Sequence, residues 1–297
     1  MSGTQKSLCV FVHFSNQACI PLYVKIYVDE VAKYFDQVIL VTNERSDQAA
    51  ATYEKLNIST VFVKNEGYDL GMFYKVFQSI NPEDYAQIAC INDSNILFNE
   101  LLPIINWSKE HQSDFWGAID SNANPSFSTH KNNYHIQSHF IVFNRKAIQK
   151  LPDFFDSINI QDIYDEKDAK LVRQKVINKW EIGLSQYLIN EGLTCKSYID
   201  SQSYGQLYLA GRNTNVSLKL YPELIRSGFP LLKIKVITKG KWKDLFRTSA
   251  YWKNLIRKHG CQSWDIESLI KELSLIKLNS GNQLLSWLRR SLHRLIH

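Results

Sequence analysis

The sequence is poor in the residues that staple or interrupt a fold. Its five cysteines, Cys9, Cys19, Cys90, Cys195 and Cys261, are odd in number, widely scattered and never spaced as CxxC. That excludes a disulfide scaffold or a zinc ribbon and predicts reduced thiols. Twelve glycines and seven prolines in 297 residues exclude collagen-like and low-complexity chains. Long apolar runs are missing too: Leu8 to Val12 is too short for a signal-peptide core or for the roughly 20 residues of a membrane span, so neither export nor insertion is expected. GxGxxG, GxxxxGK[ST], HExxH, GxSxG and the kinase signature set are absent, which removes the phosphate cradles and nucleophile elbows that announce themselves locally.

What is present is an ordinary globular balance, 44% hydrophobic and 22% charged, able at this length to bury a core without metals or cross-links. The net charge of +6 is uneven. Residues 1–232 carry 21 Lys and Arg against 25 Asp and Glu, whereas residues 233–297 carry 14 against 4, so a basic surface is expected at the C-terminal end.

Hydrophobic periodicity predicts strands at Leu8–Phe14, Gln37–Val41, Thr60–Val63, Gln87–Ile91 and Ile136–Phe143. Helices are predicted at Leu22–Phe35, Ser46–Leu56 and Leu70–Ile80, with one or two more within Asp162–Gly192. This alternation predicts βαβ units and a parallel sheet, with ligands beyond the carboxyl ends of the strands. Those ends carry Asn43, the segment from Asn65 to Gly71, and Asn92-Asp93-Ser94. The polar stretch Ser121–His135 is long enough for a lid or an acceptor surface.

Several local patterns admit two readings. Asp93, at the end of an apolar strand, reads as a ligand for a hard divalent cation or as a turn residue. Asp69 suits a helix cap or a partner for ligand hydroxyls, and Gly67 and Gly71 permit a positive φ or a close backbone approach. Glu181, expected at the start of an amphipathic helix, suits the helix dipole or a general base. His130, His135 and His139 form a loose cluster that reads as ordinary loop histidines or as a source of one metal or phosphate ligand.

Six segments in order, NEGYDLGMF from Asn65, NDS from Asn92, WGAIDS from Trp116, HIQSHFIVF from His135, WEIGLSQYLINEG from Trp180 and YPELIRSGFPLLK from Tyr221, resemble the rhamnan-synthesis F family of bacterial polysaccharide glycosyltransferases. The likeness spans roughly residues 8–235. It implies a GT-A-like α/β fold, a Rossmann-like and mostly parallel sheet flanked by helices. It also implies a nucleotide-sugar donor and a lipid-linked or oligosaccharide acceptor in O-antigen, capsule or wall-rhamnan synthesis. Carried onto this sequence, Asp93 stands where GT-A enzymes keep a metal-binding DxD carboxylate, implying Mg²⁺ or Mn²⁺. Asn65, Gly67, Asp69, Asn92, Asp93 and Ser94 would bind the donor. Gln137, Ser138 and His139 would contact sugar hydroxyls, and Glu181 would be the base of an inverting transfer. The chain departs from the family pattern at Asn95-Ile96-Leu97-Phe98, which replaces an expected Gly-Pro turn; dTDP-rhamnose is the donor the family name suggests, with UDP- or GDP-sugars as alternatives.

Three amphipathic segments follow, Lys241–Lys258, Ser263–Leu278 and Asn282–Ile296, with Trp, Leu and Phe on one face and Lys and Arg on the others. They read as interfacial helices on anionic lipid or as stripes packed onto the sheet. The expected organisation is a GT-A-like domain over 1–235 and a basic α-helical extension over 236–297, in a cytoplasmic protein peripheral to the inner face of the plasma membrane. A non-catalytic glycan-binding module of an assembly complex is the first alternative and a nucleic-acid-binding protein the second; nucleic acid is not expected as a partner, because no RRM, KH or helix-turn-helix pattern accompanies the basic residues.

Overall fold

The computed structural model describes residues 6–14, 19–43, 52–209, 215–238 and 249–276. The predicted segment Asn282–Ile296 lies outside them, as does most of the predicted helix Ser46–Leu56. Residues 52–56 of that helix are not helical. They form a turn closed by a Lys55–Ile58 bridge, because the Asn57 amide donates to the carbonyls of Ala32 and Phe35 and the Tyr53 hydroxyl to Asp29. Tertiary hydrogen bonds here override a helical pattern.

The predicted parallel sheet is present. Strands β1 (Lys6–His13), β2 (Gln37–Asn43), β3 (Ile58–Val63) and β4 (Tyr85–Asn92) pair in parallel in the order β3-β2-β1-β4. Beyond them lie β8 (Phe140–Asn144), antiparallel to both neighbours, then β6 (Phe115–Ser121), then β9 (Cys195–Ile199), parallel to β6. The sheet is therefore mostly parallel, with β8 and the short β7 (His135–Ile136) antiparallel to their neighbours, the α/β arrangement flanked by helices that the resemblance implied. Between β4 and β6 sits β5 (Asn95–Leu97), paired antiparallel with β10 (Leu231–Lys233) in a small second sheet.

The predicted strand Ile136–Phe143 is broken. Its first part, β7 (His135–Ile136), pairs with β6, and three residues leave the ladder before β8 begins. The Gln137 N–H donates to the Ile119 carbonyl, and the His139 carbonyl accepts from Asn92 N–H. Such an irregularity re-aims side chains out of a sheet, here at the carboxyl end of β4.

Both faces of the sheet are buried. Helices Tyr68–Phe77, Arg145–Ser157 and Gly183–Asn190 cover one, packing Phe73, Phe77, Phe155 and Leu184 against Val10, Ile88 and Phe143. Helix Leu22–Val31 covers the other, together with the C-terminal helices Ser249–His259 and 266–276. Trp252, Leu255, Ile256, Leu269, Ile270 and Leu273 are all buried in that core. Over residues 249–258 and 263–276 the packing reading of the apolar stripe holds, since the face is spent on the domain itself; residues 241–248 and 277–278 of the predicted segments lie outside the described residues. No helix among the described residues is long and apolar enough to cross a membrane, and all five cysteines are unpaired.

One contact ties the C-terminal helices to the rest. Helix Leu22–Val31 starts at Pro21 with no side-chain cap of its own. Its first N–H groups, on Leu22 and Tyr23, donate to the two carboxylate oxygens of Glu272 at 2.8 and 3.0 Å. Helix N-termini leave such donors orphaned, and an acidic partner also suits the dipole. Glu272→Ala is expected to lower stability by about 1–2 kcal/mol, read as a shift of the urea midpoint; an unchanged midpoint would show that water serves these donors equally well.

Candidate active site

A cleft of about 780 Å³ opens at the carboxyl ends of β1 and β4, the place where open α/β sheets bind ligands. It gathers Asn65, Asp69, Asn92, Asp93, Ser94, Gln137, Ser138, His139 and Glu181, every residue that the resemblance assigned to the site except Gly67. Gly67 lies beneath the rim. Its φ of 71° places it in the left-handed region at the start of helix Tyr68–Phe77, and a Cβ there would touch Gly71, Ile163 and Tyr164. Tyr68, next in sequence, also has a positive φ, 57°, and its hydroxyl donates to the Ala169 carbonyl at 3.1 Å. Strained backbone of this kind persists only where its surroundings hold it.

Asp69 does not cap this helix. Its carboxylate accepts from the Asn92 amide at 2.5 Å, and that amide also donates to the Ser138 carbonyl at 3.2 Å. Asn92 Oδ1 accepts from Ser94 N–H at 3.0 Å, so Asn92 rather than Asp93 makes the turn after β4. Burial, reinforced by the neighbouring Glu181 carboxylate, raises the Asp69 carboxyl to about 6. The folded state therefore holds a proton that the unfolded chain has released between about pH 4 and 6, and stability falls as pH rises through that window. Asp69→Asn keeps an acceptor for Asn92 and removes the buried charge. It is expected to stabilise the protein by about 1–2 kcal/mol at pH 7 and not at pH 4; equal effects at both pH values in urea unfolding would refute the assignment.

Glu181 is not at a helix start. Ala169–Val176 continues through a π-helical turn, Ile177–Ile182, into Gly183–Asn190. Wide turns of this kind recur at functional sites. Trp180 is fully buried against Tyr74 and Phe155, while its neighbour Glu181 borders the cleft and accepts from Ser138 N–H through Oε1 at 3.1 Å. The break in the predicted strand thus has a local use: it supplies the N–H that orients this carboxylate.

Asp93 is already partnered. Its Oδ2 meets His13 Nδ1 at 2.6 Å and accepts from the Tyr23 hydroxyl at 3.2 Å. With Asn92 and Ser94 on either side and the Asn92 oxygen occupied by Ser94, one carboxylate oxygen is left for a cation. No group of three or more His, Cys, Asp or Glu side chains suited to a metal gathers among the described residues. His130 is bound to the Asn178 carbonyl and His135 to the Asn133 carbonyl, so the loose histidine cluster does not converge. The protein thus offers a cation a single carboxylate oxygen at this turn, with waters and a ligand's phosphates left to complete any shell, and no step below is routed through a metal.

Four cations that sequence reasoning assigned no role also line the cleft: Lys170, Arg173, Lys233 and Lys235. Lys233 Nζ donates to Gln137 Oε1 at 2.6 Å. Gln137 is buried and is held in turn by its own amide on the Asp120 carbonyl at 3.0 Å. Burial brings the Lys233 ammonium down to about 8, opposed by Glu181 and reinforced by Lys235 and Arg173. His139 is fully buried, kept neutral by that burial and by Lys233, and its Nε2 has no partner. The sequence signal for Lys233 and Lys235 was the onset of the basic stretch at residue 233, and Lys170 and Arg173 had none; for His13 it was its place at the carboxyl end of β1.

Comparison with known proteins places the chain in a family. The family model described as rhamnan synthesis protein F matches residues 38–286. The virulence protein VirA of Vibrio anguillarum is 27% identical over 207 residues, covering 60% of this chain and 62% of its own length. Among solved structures, the glycosyltransferase GlyE of Streptococcus pneumoniae is 11% identical with a TM-score of 0.41, covering 91% of this chain and 63% of its own. The 4-diphosphocytidyl-2C-methyl-D-erythritol synthase of Anaerococcus prevotii is 10% identical with a TM-score of 0.39, covering 66% and 90%. The family match takes in the helix 68–77, the turn after β4, Glu181 and Lys233, and with them most of the cleft: this chain belongs to the rhamnan synthesis protein F family.

Proposed function

We propose that this chain is a glycosyltransferase that moves a sugar from a nucleotide-sugar donor to a growing cell-surface polysaccharide, with inversion at the anomeric carbon. The observation that carries this reading is a carboxylate, Glu181, oriented by a backbone N–H in a cleft that also holds cations and hydrogen-bonding side chains. Family membership supports the polysaccharide setting, and the family name supports rhamnose as the sugar, carried by dTDP.

In this mechanism Glu181 takes the proton of an acceptor hydroxyl as that oxygen attacks the anomeric carbon. The bond from that carbon to the diphosphate breaks, and its electron pair leaves with the nucleoside diphosphate. Asn65, Asp69, Asn92 and Ser94 face the donor. Gln137, Ser138 and the unpartnered Nε2 of His139 face sugar hydroxyls, neutral imidazole being able to donate or accept. A lipid-linked acceptor and a peripheral place at the inner face of the plasma membrane are supported by the cationic surplus after residue 233.

A thermal-shift panel of dTDP-, UDP-, GDP- and CMP-sugars tests the reading, because a ligand that binds only the folded state raises its melting temperature. A shift with one nucleotide class is expected. No shift with any donor, in folded protein, would favour the non-catalytic glycan-binding module instead.

A further inference from the structure

We propose that Lys233, together with Arg173 and Lys170, supplies the positive charge that receives the donor's diphosphate, so that binding and transfer need no divalent metal. The inference rests on the glycosyltransferase reading above and goes beyond it by naming how the leaving group is stabilised.

The fold delivers Lys233 to the place where a metal-binding carboxylate pair would work. Strand β10 pairs with β5 so that Lys233 stands opposite Asn95, and Ile234 N–H donates to the Ser94 carbonyl at 2.9 Å. The departure Asn95-Ile96-Leu97-Phe98 from the family pattern is therefore the strand that seats this lysine beside the turn at Asp93. Its ammonium donates to a neutral amide oxygen, that of Gln137, rather than to a carboxylate. A half-buried cation held by a neutral acceptor keeps most of its field for a ligand, and that field is stronger in a partly dry cleft than in water. Arg173 and Lys170 border the same cleft from the helix that leads to Glu181. Arg173 lies close enough to Lys233 to act on its charge. Arg offers a planar fork and Lys three donors, both suited to phosphate oxygens.

Asp93 points the same way. The carboxylate that would hold a cation already accepts from His13 and Tyr23, and the lysines and arginine that line the same cleft already supply positive charge to it. As the bond to the anomeric carbon breaks, the electron pair ends on a phosphate oxygen that stays unprotonated next to the ammonium. The only proton that moves is the acceptor's, to Glu181.

The test is calorimetric titration of the full chain with dTDP, UDP and GDP and with the matching nucleosides, each in EDTA and in Mn²⁺. One nucleoside diphosphate should bind with the same affinity, within about twofold, in both conditions. Lys233→Met should weaken that diphosphate by about 10- to 100-fold, the loss of a charge-assisted hydrogen bond, and leave the nucleoside unchanged; Lys233→Arg should restore part of the loss. Should Lys233→Met fail to fold, Arg173→Gln at an exposed position should weaken the diphosphate about 3- to 10-fold and flatten its salt dependence. Binding that EDTA abolishes, or folded variants that bind the diphosphate as wild type does, would overturn the inference and leave the glycosyltransferase reading standing. Folded protein that binds no nucleotide in either condition would overturn both.

Discussion

Glu181→Gln is expected to lower turnover by about 10²- to 10⁴-fold, the range lost when a positioned general base is removed, while nucleotide affinity and melting temperature stay near wild type. The geometry makes the exchange conservative. Ser138 N–H donates to Oε1 at 3.1 Å, and a glutamine oxygen accepts the same bond. What is lost is the ability to take a proton. The variant therefore separates chemistry from binding: kcat falls and donor affinity does not. A rate within threefold of wild type would remove Glu181 from the reaction. A parallel loss of affinity would instead make it a binding residue.

Gly71→Ala is expected to destabilise the protein by about 3 kcal/mol and to weaken donor binding in whatever protein still folds. A Cβ at position 71 would lie 1.9 Å from the Glu66 carbonyl oxygen and 2.9 Å from its carbon, and these are backbone atoms that no rotamer change can clear. Glu66 cannot easily retreat, since its carboxylate is paired with Lys64 and with Lys75. The clash must push the turn at Gly67 and Tyr68, whose left-handed backbone sets the direction of Asp69. Stability and donor binding should thus fall together, read by urea unfolding and titration on the same sample. A fall of less than 1 kcal/mol would mean that the turn yields more readily than its contacts indicate.

Much of the fold was legible in order. The runs Leu8–Val12, Val38–Val41 and Ile88–Ile91 are apolar because a parallel strand is covered on both faces, and all of these residues are buried. Breaks at polar residues then located the strand ends, so Asn92, Asp93 and Asp69 were recognisable as cleft residues before any geometry was known. The sequence was weaker where a local pattern competed with a distant partner. Residues 52–56 carry a helical pattern and form a turn held by Asp29 and by the Ala32 and Phe35 carbonyls. The strand through Gln137 and Ser138 breaks because Glu181 and Asn92 need its backbone groups.

By itself, then, the sequence determined the parallel sheet, the reduced cysteines, the family and most of the residues around the cleft, since burial on both faces and turn chemistry leave their mark within a few positions of the chain. Only the tertiary structure decided what those residues are to one another. Asp93 is engaged by a histidine 80 residues away, Lys233 reaches the cleft through a strand pairing with residues 95–97, and Glu272 closes a helix that begins about 250 positions earlier. Charge and hydrogen bonding act over a few ångströms of space without regard to separation along the chain, so these pairings leave no periodicity to read.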